Sequence, residues 1–181
     1  MIRPKREKVT WHKLLWWSLA IPKHTIIVWM VILNRLPTKD RLISRGIDMN
    51  GDCCLCQEEL EAWDHIFFEC NYSRSIWEML LSLYGINRVI ENWSEKFQWT
   101  VQNLKRRNLA STLLRVAWRA FIYSVWKERN GRLHSNTARN NLQVLEAIKE
   151  VTCIRMAGIK RDIATNLGRQ LSNSGKLFDV C

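Results

Sequence analysis

Turn residues are scarce in this chain: 7 glycines and 3 prolines among 181 residues. An all-β sandwich or barrel needs a turn signal roughly every ten residues, so that architecture is excluded. Long apolar runs are also missing. The longest unbroken stretch, IIVWMVIL at 26–33, is far short of the ~20 residues of a membrane helix. The basic N-terminus, MIRPKREKVT, is followed by a short apolar run with no A-x-A-like cleavage site. These absences predict a soluble, intracellular protein with no membrane contact. In that setting six cysteines are not expected to serve as disulfide staples. Low-complexity segments and internal repeats are absent as well.

What is present suits a globular chain: 47% hydrophobic and 25% charged residues, with ten tryptophans spread over most of the length. Tryptophans dispersed in this way fit core and interface packing better than one aromatic platform. The formal charge of +11 is unevenly placed. Residues 105–139 carry nine Lys or Arg against Glu128 alone, whereas residues 48–78 carry eight acids against Arg74.

Periodicity predicts a mostly α fold. Pro22 breaks the chain after Ile21; the β-branched stretch Thr25–Arg35 that follows is compatible with helix or strand by propensity. Thr38 as N-cap, Asp40 in the first turn and Gly46 past the end delimit a short helix over Lys39–Arg45. Ile76, Trp77, Leu80, Leu83 and Tyr84 share one helical face, stopped by Gly85. A long helix runs through Leu109, Leu113, Ala117, Phe121 and Val125 to about Asn130–Gly131, with its basic residues expected on the outer side. Another passes through Leu142, Leu145, Ile148 and Val151. Beyond about Thr165 the sequence is polar and expected to be loose.

The stretch GDCCLCQEELEAWDHIFFEC (51–70) concentrates the chemistry. Cys53 and Cys56 form a C-x2-C pair, the spacing of a tight knuckle, and His65 and Cys70 form an H-x4-C pair further on. Together they make a Cys3His set, a closed tetrahedral zinc site without an open position for substrate. Soft thiolates and imidazole favour zinc over magnesium or calcium. Other readings stand beside this one. Buried cysteines can be small hydrophobes, a redox C-x-x-C wants a βαβ context, and a Cys–His nucleophile needs an orienting group. Cys54 is a fifth candidate, but pairing it with Cys56 leaves a poorer knuckle. Cys153 reads as helical core and Cys181 as tail.

WHKLLWWSLAIPKHTIIVWMVILNRLPTKDRLISRGI, CCLC, DHIFFEC and SIW together resemble the zinc-binding domain that follows the reverse transcriptase in plant LINE-type (non-LTR) retrotransposons. WKERNGRLH resembles a segment that often follows that domain, so the likeness spans about Thr10 to His134. One proline is missing from the I-P-P-K-like turn, and Cys54 stands where the family usually has proline or another small residue. The resemblance implies one structural Zn2+ on Cys53, Cys56, His65 and Cys70. The resemblance places a zinc-binding domain over 10–85, and periodicity and composition add a helical extension over 86–164 and an expected disordered tail over 165–181. No Tyr/Phe-x-Asp-Asp polymerase signature and no RNase H carboxylate set is present, so an enzyme is not expected.

Related knuckle regions are thought to hold template RNA or target DNA. The expected role is therefore noncatalytic binding of RNA or single-stranded DNA in support of reverse transcription. The acidic knuckle is a poor phosphate binder. The expected contact surface is the basic stripe Lys105, Arg106, Arg107, Arg115, Arg119, Lys127, Arg129 and Arg132, running on to Arg139. The alternative is a scaffold that docks on a reverse transcriptase domain or another protein, or a degenerate element fragment.

Overall fold

The computed structural model describes residues 15–17, 20–86, 109–135 and 137–166. The fold is helical. In chain order it comprises α1 (Pro22–Ile32), α2 (Lys39–Ile43), a π-helical turn (His65–Glu69), α3 (Asn71–Leu83), α4 (Leu109–Ser135) and α5 (Asn141–Asn166). Among the described residues, strand pairing amounts to a single antiparallel bridge between Asp52 and Leu60.

The ambiguous stretch after Pro22 is helix. Proline opens α1, where its fixed φ is already helical and its missing N–H costs nothing. Burial of Val28 and Val31 against the core then overrides the β preference of the branched residues. The second helix starts at Lys39 as expected, but Thr38 makes no capping bond. Glu61 supplies the acceptors instead: its Oε1 accepts from Lys39 N at 2.9 Å and its carbonyl from Asp40 N at 3.2 Å. Gly46 ends this segment at φ +85°, a conformation that costs glycine little.

α4 is the centre of the molecule. Every residue from Leu113 to Ile122 is buried, because the helix packs against α1, α3, α5 and the π turn. A helix enclosed in this way has no outer side over that stretch. The expectation of outward basic residues therefore fails for Arg115 and Arg119, 9% and 2% exposed, and it fails further along for Arg129, which is 2% exposed. α4 also runs past Gly131 to Ser135. A Cβ at Gly131 would lie 2.9 Å from Thr137 Oγ1, so the turn that follows folds closely back on this glycine.

α5 covers α4 with Val144, Ile148, Thr152 and Met156, a regular four-residue spacing along one buried face. Leu142, assigned by periodicity to the same face, is 62% exposed. Cys153 on α5, read from the sequence as helical core, is disulfide-bonded, against the expectation that the cysteines do not serve as disulfide staples. Cys181 and the tail after Asn166 lie outside the described residues. No helix among the described residues is long and apolar enough to cross a membrane.

Candidate metal centre

The knuckle is a small hairpin. Cys53 N donates to Glu59 O at 2.8 Å and Glu61 N to Gly51 O at 2.8 Å, which ties the two arms together on either side of the Asp52–Leu60 bridge. At its tip Gln57 N donates back to Cys53 O at 2.9 Å, and Gln57 adopts φ +61°. This tight turn carries Cys53 and Cys56 towards one point. Leu55 N lies 3.4 Å from Cys53 Sγ, a backbone donor aimed at the sulfur, which favours its thiolate form.

The other arm comes from the π turn. Cys70 N donates to His65 O at 2.8 Å, the five-residue step of a π helix. Asp64 caps the turn by accepting from His65 N at 2.9 Å. The wider step fits the H-x4-C spacing, placing His65 and Cys70 one turn apart and facing the knuckle.

The ligand atoms of Cys53, Cys56, His65 and Cys70 all lie within 4.8 Å of one another. Cys53 Sγ is 4.0 Å from Cys70 Sγ, and Cys56 Sγ is 3.3 Å from His65 Nε2. A tetrahedron with zinc–sulfur arms of about 2.3 Å has sulfur–sulfur edges of roughly 3.8 Å, and edges to a nitrogen are shorter. Both separations match those edges. The protonation pattern agrees. The hydrogen bond with Cys70 and burial push the Cys53 thiol up to about 12. The same bond from Cys53 holds Cys70 below the usual thiol range. Hydrogen bonding to Cys53, and then to Cys56, raises His65 to about 9 although burial opposes it. With protons alone, the buried thiols cannot all ionise together. A dication would let three thiolates and a neutral imidazole coexist, so the donor set fits zinc, which would hold hairpin and π turn together.

Cys54 is half-buried and is not a member of this group. Cys54→Ala should therefore retain stoichiometric zinc by metal analysis, whereas Cys53→Ala should lose it. Equal loss in both would mean that the register of the knuckle is different.

Of the predicted basic stripe, Lys105, Arg106 and Arg107 lie outside the described residues. The rest do not form one surface. Arg129 reaches the knuckle from α4: its Nη2 is 2.6 Å from Glu61 Oε1 and its Nε 3.2 Å from Oε2, with both side chains almost fully buried. Arg132 donates to Leu55 O at 2.9 Å, to Cys54 O at 3.3 Å and to Arg139 O at 3.0 Å, and it pairs with Glu128. Glu128 also binds Arg139 through its main-chain N–H and guanidinium. Arg119 donates inward to Leu15 O and Thr25 Oγ1, and Arg115 lies over the Trp17 ring. Lys127 alone among the described members of the stripe is exposed.

Sequence reasoning missed Glu61 entirely. It reads as one more acid on an acidic knuckle, yet it is 1% exposed and joins three segments through Lys39 N, Asp40 N and Arg129. An acid within a hydrophobic LEAW context was the one available signal.

Residues 1–77 match the family model described as zinc-binding in reverse transcriptase. No curated protein and no solved structure matches the chain. The match contains all four residues of the Cys3His group, while α4, which clamps the knuckle, lies beyond it.

Proposed function

We propose that this chain is a noncatalytic module of a non-LTR retroelement that holds RNA or DNA in support of reverse transcription. One zinc ion on Cys53, Cys56, His65 and Cys70 keeps its fold. The closed Cys3His group carries this reading, together with the family match over the same residues. Four protein ligands leave no coordination position for substrate, so the metal's task is structural.

The net charge of +11 supports a polyanion partner. The contact surface differs from the expected stripe. Arg129 is committed to the interior, and Arg132 to the knuckle carbonyls. Lys127 remains, with Lys105, Arg106 and Arg107 from the preceding sequence, and Lys23, Arg35 and Arg45 are exposed on the N-terminal half. Filter binding of single-stranded oligonucleotide across a salt series tests this. Each phosphate neutralised contributes about 0.7 to the slope of log affinity against log salt. Arg106→Gln, Arg107→Gln and Lys127→Gln together should lower the slope by about two with zinc content unchanged. Glu58→Gln with Glu59→Gln should leave binding equal or slightly stronger. A triple variant as tight as the parent at every salt concentration would remove these residues from the interface.

The second reading, docking on a reverse transcriptase domain or other protein, is favoured by one specific observation. Trp16, Ile26 and Trp29 are 57%, 54% and 38% exposed, and the last two stand one turn apart on α1. Absence of oligonucleotide binding at low salt would give this reading first place.

A further inference from the structure

Away from the knuckle, four buried nitrogens without a hydrogen-bond partner gather where α1 meets α4. They are Arg119 Nε and Nη1, Trp17 Nε1 and His24 Nδ1. All three residues line one cavity, with Ile21 and Val116 completing its wall. Its volume is about 10 Å3, room for one atom the size of a water oxygen. Trp17 and Ile21 are half-buried and stand at its mouth, while His24, Val116 and Arg119 form its floor.

The cavity is rich in donors and in positive charge. Arg119 spends Nη2 on Leu15 O and Thr25 Oγ1 and leaves the rest of its guanidinium turned to the cavity. Burial, and then the charge of Arg115, lower Arg119 only to about 10, so it is charged at neutral pH. The Arg115 guanidinium sits 4.6 Å from the centre of the Trp17 ring, and Lys23 Nζ lies 5.3 Å from that of Tyr123, on which His24 stacks. Burial, then Lys23 and Arg119, push His24 down to about 4. Its ring is neutral at pH 7, and Nδ1 can carry a proton to donate. Among the described residues, no carboxylate lines the cavity. A buried guanidinium with unmatched donors is costly unless an acceptor and a counter-charge reach it.

We propose that this cavity is an oxyanion site, in which one oxygen of a phosphate group accepts from Arg119, Trp17 and His24 Nδ1 while the remaining oxygens stay at the mouth. A single water could accept two of these hydrogen bonds but would leave the charge unmatched. Phosphate is favoured because the charged Arg119 guanidinium lines the cavity and the positive charges of Arg115 and Lys23 act on Arg119 and His24 from outside the lining. The site lies outside the metal centre and does not require the nucleic-acid reading to hold.

Isothermal titration of the zinc-loaded full chain with sodium phosphate, at fixed ionic strength set with sodium chloride, tests the proposal. The parent should take up one phosphate. Trp17→Phe, which keeps the ring and removes the N–H, should bind about tenfold more weakly, the loss of one hydrogen bond to a charged group. If Trp17→Phe fails to retain zinc, His24→Phe takes its place; it preserves stacking on Tyr123, removes Nδ1 and should also weaken binding. A single-stranded oligonucleotide added to the phosphate-loaded protein separates the sources. Competition would identify a nucleic-acid phosphodiester, and independent binding a free phosphate or small phosphate ester; the site stands in either case. No phosphate binding by the parent, or equal affinity in the folded variant, overturns it. Oligonucleotide binding that persists in that event leaves the function proposed above intact.

Discussion

Cys70→Ser should emerge from purification without stoichiometric zinc and with the knuckle unfolded, the largest effect expected of any single substitution in this chain. Cys70 closes the ligand group, 4.0 Å from Cys53 Sγ, and it also ends the π turn through its bond to His65 O. Structural zinc contributes on the order of 10 kcal/mol in small modules, comparable to the whole stability of an ordinary domain. Titrating the parent with a chelator should reproduce the loss by circular dichroism, with α4 and α5 unfolding at a lower denaturant concentration once the knuckle is gone. Metal uptake must also displace protons from the thiols, most of all from Cys53. Zinc affinity should therefore rise with pH, with proton release measurable in weak buffer. A Cys70→Ser protein with full occupancy would sink the four-residue assignment.

Glu61→Ala should cost about 3–5 kcal/mol in denaturant unfolding. The cost is not the loss of an attraction at the surface. The substitution leaves the Arg129 guanidinium, 2% exposed, without its counter-charge, and removes the acceptor of Lys39 N at the start of α2. Removing both charges should be milder. Glu61→Leu combined with Arg129→Met replaces a buried ion pair by apolar side chains of similar length, and such exchanges are often close to neutral. Equal destabilisation by the single and double variants would mean that the pair acts only through Glu61's cap on α2. Loss of zinc from Glu61→Ala would show that the clamp and the metal centre are coupled.

The Cys3His grouping was legible because its information is local. Ligand spacing is read directly along the chain, and C-x2-C with H-x4-C leaves few alternatives. Helix positions were legible where one face is apolar, as in α3, whose Ile76, Trp77 and Leu80 are buried as expected. The orientation of α4 was not. A run of Arg among Leu, Ala and Trp has the composition of an amphipathic surface helix, and the same residues suit an interior helix whose arginines find acceptors there. Only the partners decide between the two, and they lie far off in sequence: Leu15 for Arg119 and Glu61 for Arg129. Likewise, Thr38 is a good N-cap by type, but the helix it precedes is capped by an acid delivered from the knuckle. Long-range complementarity of this kind leaves no periodic trace.

The separation between these contacts has a temporal consequence. Cys53 and Cys70 are 17 residues apart, whereas Glu61 and Arg129 are 68 apart. Each doubling of a flexible loop adds about 0.6 kcal/mol to its closure, so the Glu61–Arg129 contact costs roughly 1.2 kcal/mol more than the metal loop before any reward is gained. Contacts near in sequence form sooner than distant ones. On a ribosome, the metal loop is complete well before Arg129 is synthesised. A knuckle that binds zinc would thus be able to take it up first, and α4 would then dock on a Glu61 already in place.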